Sequence, residues 1–230
     1  MKKKINRIFA IFALIGALVF TIFAAPAPYS LFGDAQLSSP GNNSPTAASL
    51  TTAGTNSYSG VDFNIPSGLT FSNIEKLSTD YEITTGDCGS GSPRFQVNVL
   101  DPNTGTQKNI FVYIGPAPNY SGCTPQAWVT TGDLLESANL IDTSQIGGGF
   151  YQSYADAEAA FGSYEVTGIQ LVVDGPTQTV LVDNVMINGS TFTFESANSC
   201  KNGGWQSFST APGPFTNQGQ CVSYFARGGQ

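Results

Sequence analysis

The chain of 230 residues contains no histidine. That absence removes Ser-His-Asp and Cys-His nucleophile systems, His-ligated zinc and the commonest general base near neutral pH. Charge is also scarce: only 11% of residues are Asp, Glu, Lys or Arg. Basic residues number nine against sixteen acidic ones, and four of the nine (Lys2, Lys3, Lys4 and Arg7) crowd the start. Past that start the balance is five to sixteen, a net charge of −11. Such a surface repels phosphate backbones and disfavours nucleic-acid partners, while cations are welcome. No CxxC spacing occurs among the four cysteines, so zinc-ribbon and thioredoxin-like readings lapse as well.

What is present is 40% hydrophobic residues, sixteen Phe and 26 Gly. This is the profile of a core-forming chain with many turns, as all-β proteins are. The opening MKKKINRIFAIFALIGALVFTIFAA (residues 1–25) has a basic start followed by an apolar stretch from Ile8 to Ala25, the order of an export signal. Its 18 apolar residues exceed the roughly 7 to 15 of a usual signal core and fall just short of the ~20 that span a bilayer. A cleaved signal and a retained N-terminal anchor both fit; either puts the rest of the chain outside, secreted or held at the outer face of the membrane. Residues 26–57 are aperiodic and rich in Pro, Ser, Thr, Ala, Gly and Asn, and read as a flexible linker.

From Val61 the pattern turns strand-like: VDFNI, LTFSNI, KLSTDYEIT, PRFQVNVL, NIFVYIG, QAWVT, EVTGIQLVVD, TVLVDNVMI and TFTFE, punctuated by Gly, Pro, Asn and Asp. In PRFQVNVL, Phe95, Val97 and Val99 fall on one face and Arg94, Gln96 and Asn98 on the other. NIFVYIG and VLVDNVMI are apolar on both faces and suit central strands. One helix interrupts, in SYADAEAAFG, with Ser153 capping toward Asp156 and Gly162 suited to a left-handed stop. The expectation is a two-sheet antiparallel β-sandwich, a jelly roll with one short helix, over residues 58–196, followed by a disulfide-closed tail over 197–230.

Four cysteines in an exported chain imply two disulfides in one of three connectivities. Cys88 with Cys123 and Cys200 with Cys221 are favoured because each pair stays within one compositional segment, and each contributes about 3 to 4 kcal/mol by loop entropy. The tail CKNGGWQSFSTAPGPFTNQGQCVSYFARGG carries Cys200, Gly203, Gly204, Trp205, Phe208, Phe215, Asn217, Gln218, Gly219, Gln220 and Cys221. In these residues it resembles a short Cys-bracketed ending found on many uncharacterised secreted bacterial proteins. Trp205, Phe208 and Phe215 read as the miniature core of a stapled loop.

Asp183 stands in the middle of the apolar run TQTVLVDNVMING, where an ionised carboxylate costs several kcal/mol unless a cation or donors meet it. The ending VLVDNVMI resembles the last strand of carbohydrate-binding modules with the galactose-binding-like jelly-roll fold, whose final strand often reads apolar-x-Asp-Asn/Asp-Val-x-apolar. The resemblance covers roughly residues 61 to 195 in outline, with recognisable residues in the final strand. It implies a structural Ca2+ with Asp183 as one ligand and Asp62 as its companion, and no organic cofactor; the competing reading has Asp183 bonded to loop amides. Asp80, Glu82 and Asp87 lack an EF-hand order and read as a solvated face.

The same resemblance implies a non-catalytic module for an extracellular glycan or cell-surface component. Sugar faces stack on aromatic rings, and Trp128, Tyr113, Tyr151 and Tyr154 are the candidates, Trp128 first. Two alternatives stand beside it. One is a cell-envelope or matrix protein without a small ligand. The other is a glycosidase built on a carboxylate pair from Glu75, Glu82, Glu136, Glu158, Glu165 or Glu195, although no Glu-x-Asp-x-x-Glu strand motif is present.

Overall fold

The computed structural model describes residues 28–136, 138–209 and 212–227; residues 1–25, read from the sequence as an export signal or N-terminal anchor, lie outside these. Thirteen strands occur in chain order: β1 (Tyr29–Gly33), β2 (Gln36–Ser38), β3 (Ala47–Thr51), β4 (Ser59–Phe63), β5 (Leu77–Thr85), β6 (Arg94–Leu100) and β7 (Gln107–Tyr113), then β8 (Val129–Thr130), β9 (Leu140–Asp142), β10 (Gln152–Ser153), β11 (Glu165–Val173), β12 (Thr179–Ile187) and β13 (Ser190–Phe192). They form two antiparallel sheets, one of seven strands in the order β1-β4-β11-β6-β7-β9-β10 and one of six, β2-β3-β12-β5-β8 with β13 beside β12. The architecture is the expected β-sandwich. Two α-helices accompany it among the described residues, α1 (Tyr154–Phe161) and α2 (Gln218–Ala226), where the sequence suggested one. None of the described helices is long and apolar enough to cross a membrane.

The core lies between the sheets and follows the two-residue period. Phe95, Val97 and Val99 of β6, Ile110 and Val112 of β7, and Ile169, Leu171 and Val173 of β11 point inward from one sheet; Val180, Val182 and Ile83 answer from the other. Ser153 caps α1 as expected, accepting from Asp156 N at 3.1 Å. Gly162, however, ends α1 in the right-handed region at φ −56°. Glycine is required there for space instead, since a Cβ would sit 2.5 Å from the Glu158 carbonyl oxygen.

Residues 29–51 correct the linker expectation. YSLFG pairs with β4, AASLT with β12 and QLS with AASLT, and Ala47, Ala48 and Leu50 are fully buried. Short strands of small residues leave no hydropathy period to read, and their partners lie far along the chain. The disulfides join Cys88 to Cys123 and Cys200 to Cys221. The second closes a tail whose own small core of Cys200, Phe208, Phe215 and Cys221 is padded by Trp205, Val222, Tyr224 and Phe225.

Candidate functional site

With the odd-numbered residues of β6 committed to the core, Arg94, Gln96 and Asn98 stand on the outer face of the seven-stranded sheet. The register sets their neighbours: Arg94 faces Val172 and Tyr113, Gln96 faces Gln170 and Phe111, and Asn98 faces Gly168 and Asn109. Gln96 Nε2 donates to Asn98 Oδ1 (3.2 Å) and to Gln170 Oε1 (3.0 Å), a ladder of amides across three positions. Farther along the same face Asp62 lies opposite Gln170, and Asp142 opposite Phe111.

A groove of about 460 Å³ opens at the Arg94 end of this face, walled by Arg94, Phe111, Tyr113, Asp142, Phe150 and Asp174. Arg94 grips Asp174 with both terminal nitrogens at 2.5 and 2.6 Å and lies over the Phe111 ring, 4.5 Å from its centroid. It is a paired, stacked guanidinium whose geometry lysine could not reproduce. Tyr113 Oη donates to Asp142 Oδ2 at 2.7 Å, and Asp142 Oδ1 accepts from Ser144 N at 2.8 Å. Burial, then the Asp142 hydrogen bond, raises the Tyr113 phenol well above its ordinary pKa, so it remains a donor.

The groove's rim comes from the glycine run before Phe150. Gly147 adopts φ +89°, and a Cβ on Gly148 would lie 2.0 Å from Thr143 Oγ1, so only glycine lets the 147–149 turn fold back on Thr143. The turn delivers Phe150 and Tyr151 at 56% and 48% exposure. Tyr151 meets Phe150 edge-on (4.9 Å), stacks near Tyr120 (6.0 Å) and touches Tyr113 (6.2 Å). Aromatic surface left in water while anchored from behind is a ready contact surface.

Of the four aromatic candidates, Tyr113 and Tyr151 meet here. Tyr154 does not: its ring packs on Phe71 (5.4 Å) and its hydroxyl donates to the Ile74 carbonyl (2.5 Å), which makes it a brace between α1 and the chain before β5. Trp128 is half-buried beside β8, the edge strand of the other sheet, and does not line the groove. Arg94, Phe111, Phe150 and Asp174 were not among the candidates. The alternation of PRFQVNVL already put Arg94 on the face away from Phe95, Val97 and Val99, whereas NIFVYIG, apolar on both faces, gave no sign that Phe111 faces outward; GGGFY presents two aromatics after a glycine-rich turn.

Asp183 lies on β12 in the six-stranded sheet, at a bulge where the register with β5 shifts and Asn184 adopts φ +47°. Asp62 is on β4 of the opposite sheet, between the core residues Val61 and Phe63 and therefore facing outward, so the two acids do not form one site. Asp183 is fully buried beneath the loop at 41–46. Its Oδ2 accepts from Asn42 N (2.9 Å) and Ser44 Oγ (2.7 Å), and its Oδ1 from Asn184 N (2.8 Å). Neighbouring Asp80 accepts from the amides of Asn42 and Asn184 and from Thr130 Oγ1. Burial pushes the Asp183 carboxyl up to about 7, with the Glu195 charge adding and the three donors opposing; Glu195 itself is raised by burial.

This donor set does not fit calcium. A calcium ion wants six to eight oxygens turned toward one point, whereas both Asp183 oxygens are met by N–H or O–H donors. Among the described residues three potentially ligating side chains converge at Asp87, Cys88 and Cys123, and those two sulfurs are joined in a disulfide.

No protein-family model matches the chain, and no curated protein matches it. Among solved structures, the solution structure of CtCBM11 is 13% identical over 77% of this chain and 92% of that one, with a TM-score of 0.39. An exo-beta-agarase is 17% identical over 73% of this chain and 24% of its own, with a TM-score of 0.34. The xyloglucanase domain of NopAA, a type three effector from Sinorhizobium fredii solved with cellobiose, is 15% identical over 73% of this chain and all of that one, with a TM-score of 0.28. Likenesses at these scores carry no functional argument, and the groove's own residues must supply one.

Proposed function

We propose that this protein is a non-catalytic carbohydrate-binding module that works outside the cytoplasm, and that a glycan chain lies in the groove on the seven-stranded sheet. The observation that carries the reading is the meeting, in one groove, of the exposed Phe150 with the Tyr113–Asp142 pair and the Arg94–Asp174 pair, with Tyr151 beside them. Sugar rings present apolar C–H faces, which stack on aromatic rings, and hydroxyl edges, which need acceptors and donors at fixed angles. The groove's volume suits a few sugar units, within the range of about 300 to 1,000 Å³ common for ligand sites.

The groove's carboxylates are already engaged, which supports a role without catalysis. Both Asp174 oxygens take Arg94, and the Asp142 oxygens take Tyr113 Oη and Ser144 N. A glycosidase needs one carboxylic acid free to protonate the leaving oxygen and a second carboxylate free to attack or to activate water. Action outside the cytoplasm is supported by the cysteines, all four of which are paired, as befits an oxidising compartment.

A soluble glycan array followed by calorimetry tests the reading. Binding that falls on Phe150→Ala and Tyr151→Ala, with no product released from the bound glycan, is expected; silence across the array, or turnover of a glycan, would sink it.

A further inference from the structure

The charge arrangement of the groove narrows the class of glycan, an inference that rests on the carbohydrate reading above. Among the described residues Arg94 is the one basic side chain in the groove wall, and the fold has consumed it. Its Nη1 donates to Asp174 Oδ1 and to the Gly91 carbonyl (3.0 Å), and its Nη2 to Asp174 Oδ2 (2.6 Å) and Gln96 Oε1 (3.4 Å). Its Nε is buried without a partner, and the plane of the guanidinium is spent on Phe111. The Arg94 side chain is only 10% exposed, so it cannot swing out to meet a ligand without dismantling these contacts.

The surroundings are acidic. Asp142 and Asp174 both border the groove, and Asp62 stands on the same sheet face. Lys108, on β7, falls on the Ile110 and Val112 side of that strand. Lys76 adjoins β5 of the other sheet, and Lys201 and Arg227 belong to the tail. A uronate or sulfate entering the groove would find no unspent cation among the described residues, and would approach two carboxylates, Asp142 and Asp174, of which Arg94 offsets only the second. An uncharged sugar meets neither obstacle, and its hydroxyls can donate to those same carboxylates.

We propose that the groove accepts uncharged glycan chains and turns away uronate-containing and sulfated ones, and that Asp174 is the residue setting this preference by occupying Arg94. Discrimination of this kind depends on the repulsive element as much as on the attractive one. Removing the Asp174 charge would leave the guanidinium unmatched and turn its half of the groove from neutral to positive.

Calorimetry with the full extracellular chain decides the matter, using uncharged gluco-, xylo-, manno- and galacto-oligosaccharides against oligogalacturonate and a sulfated galacto-oligosaccharide. The wild type should bind at least one uncharged series about ten-fold or more tighter than either anionic one. Asp174→Asn should narrow that ratio by about ten-fold at low salt, with the gain fading as salt screens it. An anionic series bound as tightly as the best uncharged one overturns the inference and leaves the carbohydrate reading intact, as does a folded Asp174→Asn protein with an unchanged ratio. Binding to neither class overturns both together. Should Asp174→Asn fail to fold, the wild type still answers: added salt should strengthen whatever weak anionic binding exists, and weakening it overturns the inference.

Discussion

On the outer face of the seven-stranded sheet Asp174 meets a guanidinium at the lip of an open groove, with its side chain 38% exposed. On the outer face of the six-stranded sheet Asp183 is sealed under the 41–46 loop, with hydrogen-bond donors on both oxygens and no ion pair among the described residues. The seal is itself held down: Thr46 N donates to Glu195 Oε1, and Ser209 N of the stapled tail donates to the Asn43 carbonyl. The two aspartates, one just past the end of β11 and the other inside β12, thus serve different ends, because one face is left to water and the other is covered. An open carboxylate and an exposed aromatic are available to a ligand; a covered carboxylate with every oxygen matched organises a loop.

The largest expected effect falls on the covered side. Asp183→Ala would leave the buried Ser44 hydroxyl and the part-buried N–H groups of Asn42 and Asn184 without their acceptor, and should cost about 3 kcal/mol in urea unfolding. Glycan affinity of the folded fraction should be unchanged, since the two faces belong to different sheets. Equal losses of stability and affinity would erase the distinction drawn between them.

Next in size is the open side. Phe150→Ala should weaken glycan binding by about ten-fold, while the midpoint of unfolding moves by no more than about 0.5 kcal/mol equivalent, as for other exposed substitutions. Tyr154→Ala should show the opposite pattern, because that ring and hydroxyl are spent on Phe71 and Ile74. A Phe150 variant that unfolds early while binding normally would reassign the rim to packing.

These contrasts also mark how far the sequence could be read. The sandwich was legible because β6, β7, β11 and β12 are long enough for a two-residue period to declare itself, and local composition sufficed to pair the cysteines. β1 to β3 were not, since three- and five-residue strands of Ser, Ala and Leu look like linker until their partners at β4 and β12 are in place. Of the site, Tyr113 and Tyr151 could be named as aromatics but not told from Tyr154 and Trp128, because whether a ring faces water depends on which strand or helix covers it. The partnership of Arg94 with Asp174 spans 80 positions and is created by the β6–β11 pairing alone. The unusual placement of Asp183 was visible, yet its partners are backbone N–H groups and a serine, which leave no mark in a sequence.

A subtler effect follows from pH. The folded-state pKa of Asp183 is raised to about 7 from an ordinary 3.8. Its contribution to stability is therefore full below the unfolded value and is lost as pH rises through the folded one. Measured against Asp183→Asn, which carries no proton to lose, the wild type's advantage in melting temperature should be greater at pH 5 than at pH 8. A gap that widened with pH would mean that the carboxylate is stabilised in its charged form, with its three donors, or a cation, outweighing the cost of burial.

The smallest expected effect is a null one, and it separates those two accounts directly. If Asn42, Ser44 and Asn184 satisfy Asp183, neither millimolar calcium nor a chelator should shift the melting temperature, because there is no differential binding to fold upon. A resident calcium bound 100-fold above its dissociation constant would instead stabilise the fold by about 2.7 kcal/mol, enough to shift a domain of this size by a few degrees. A chelator-induced drop of that size, abolished in Asp183→Asn, would return the metal to the covered face. It would also require Asn42 N and Ser44 Oγ to turn away from the carboxylate when the ion is present, a rearrangement that amide hydrogen exchange at Asn42 would report.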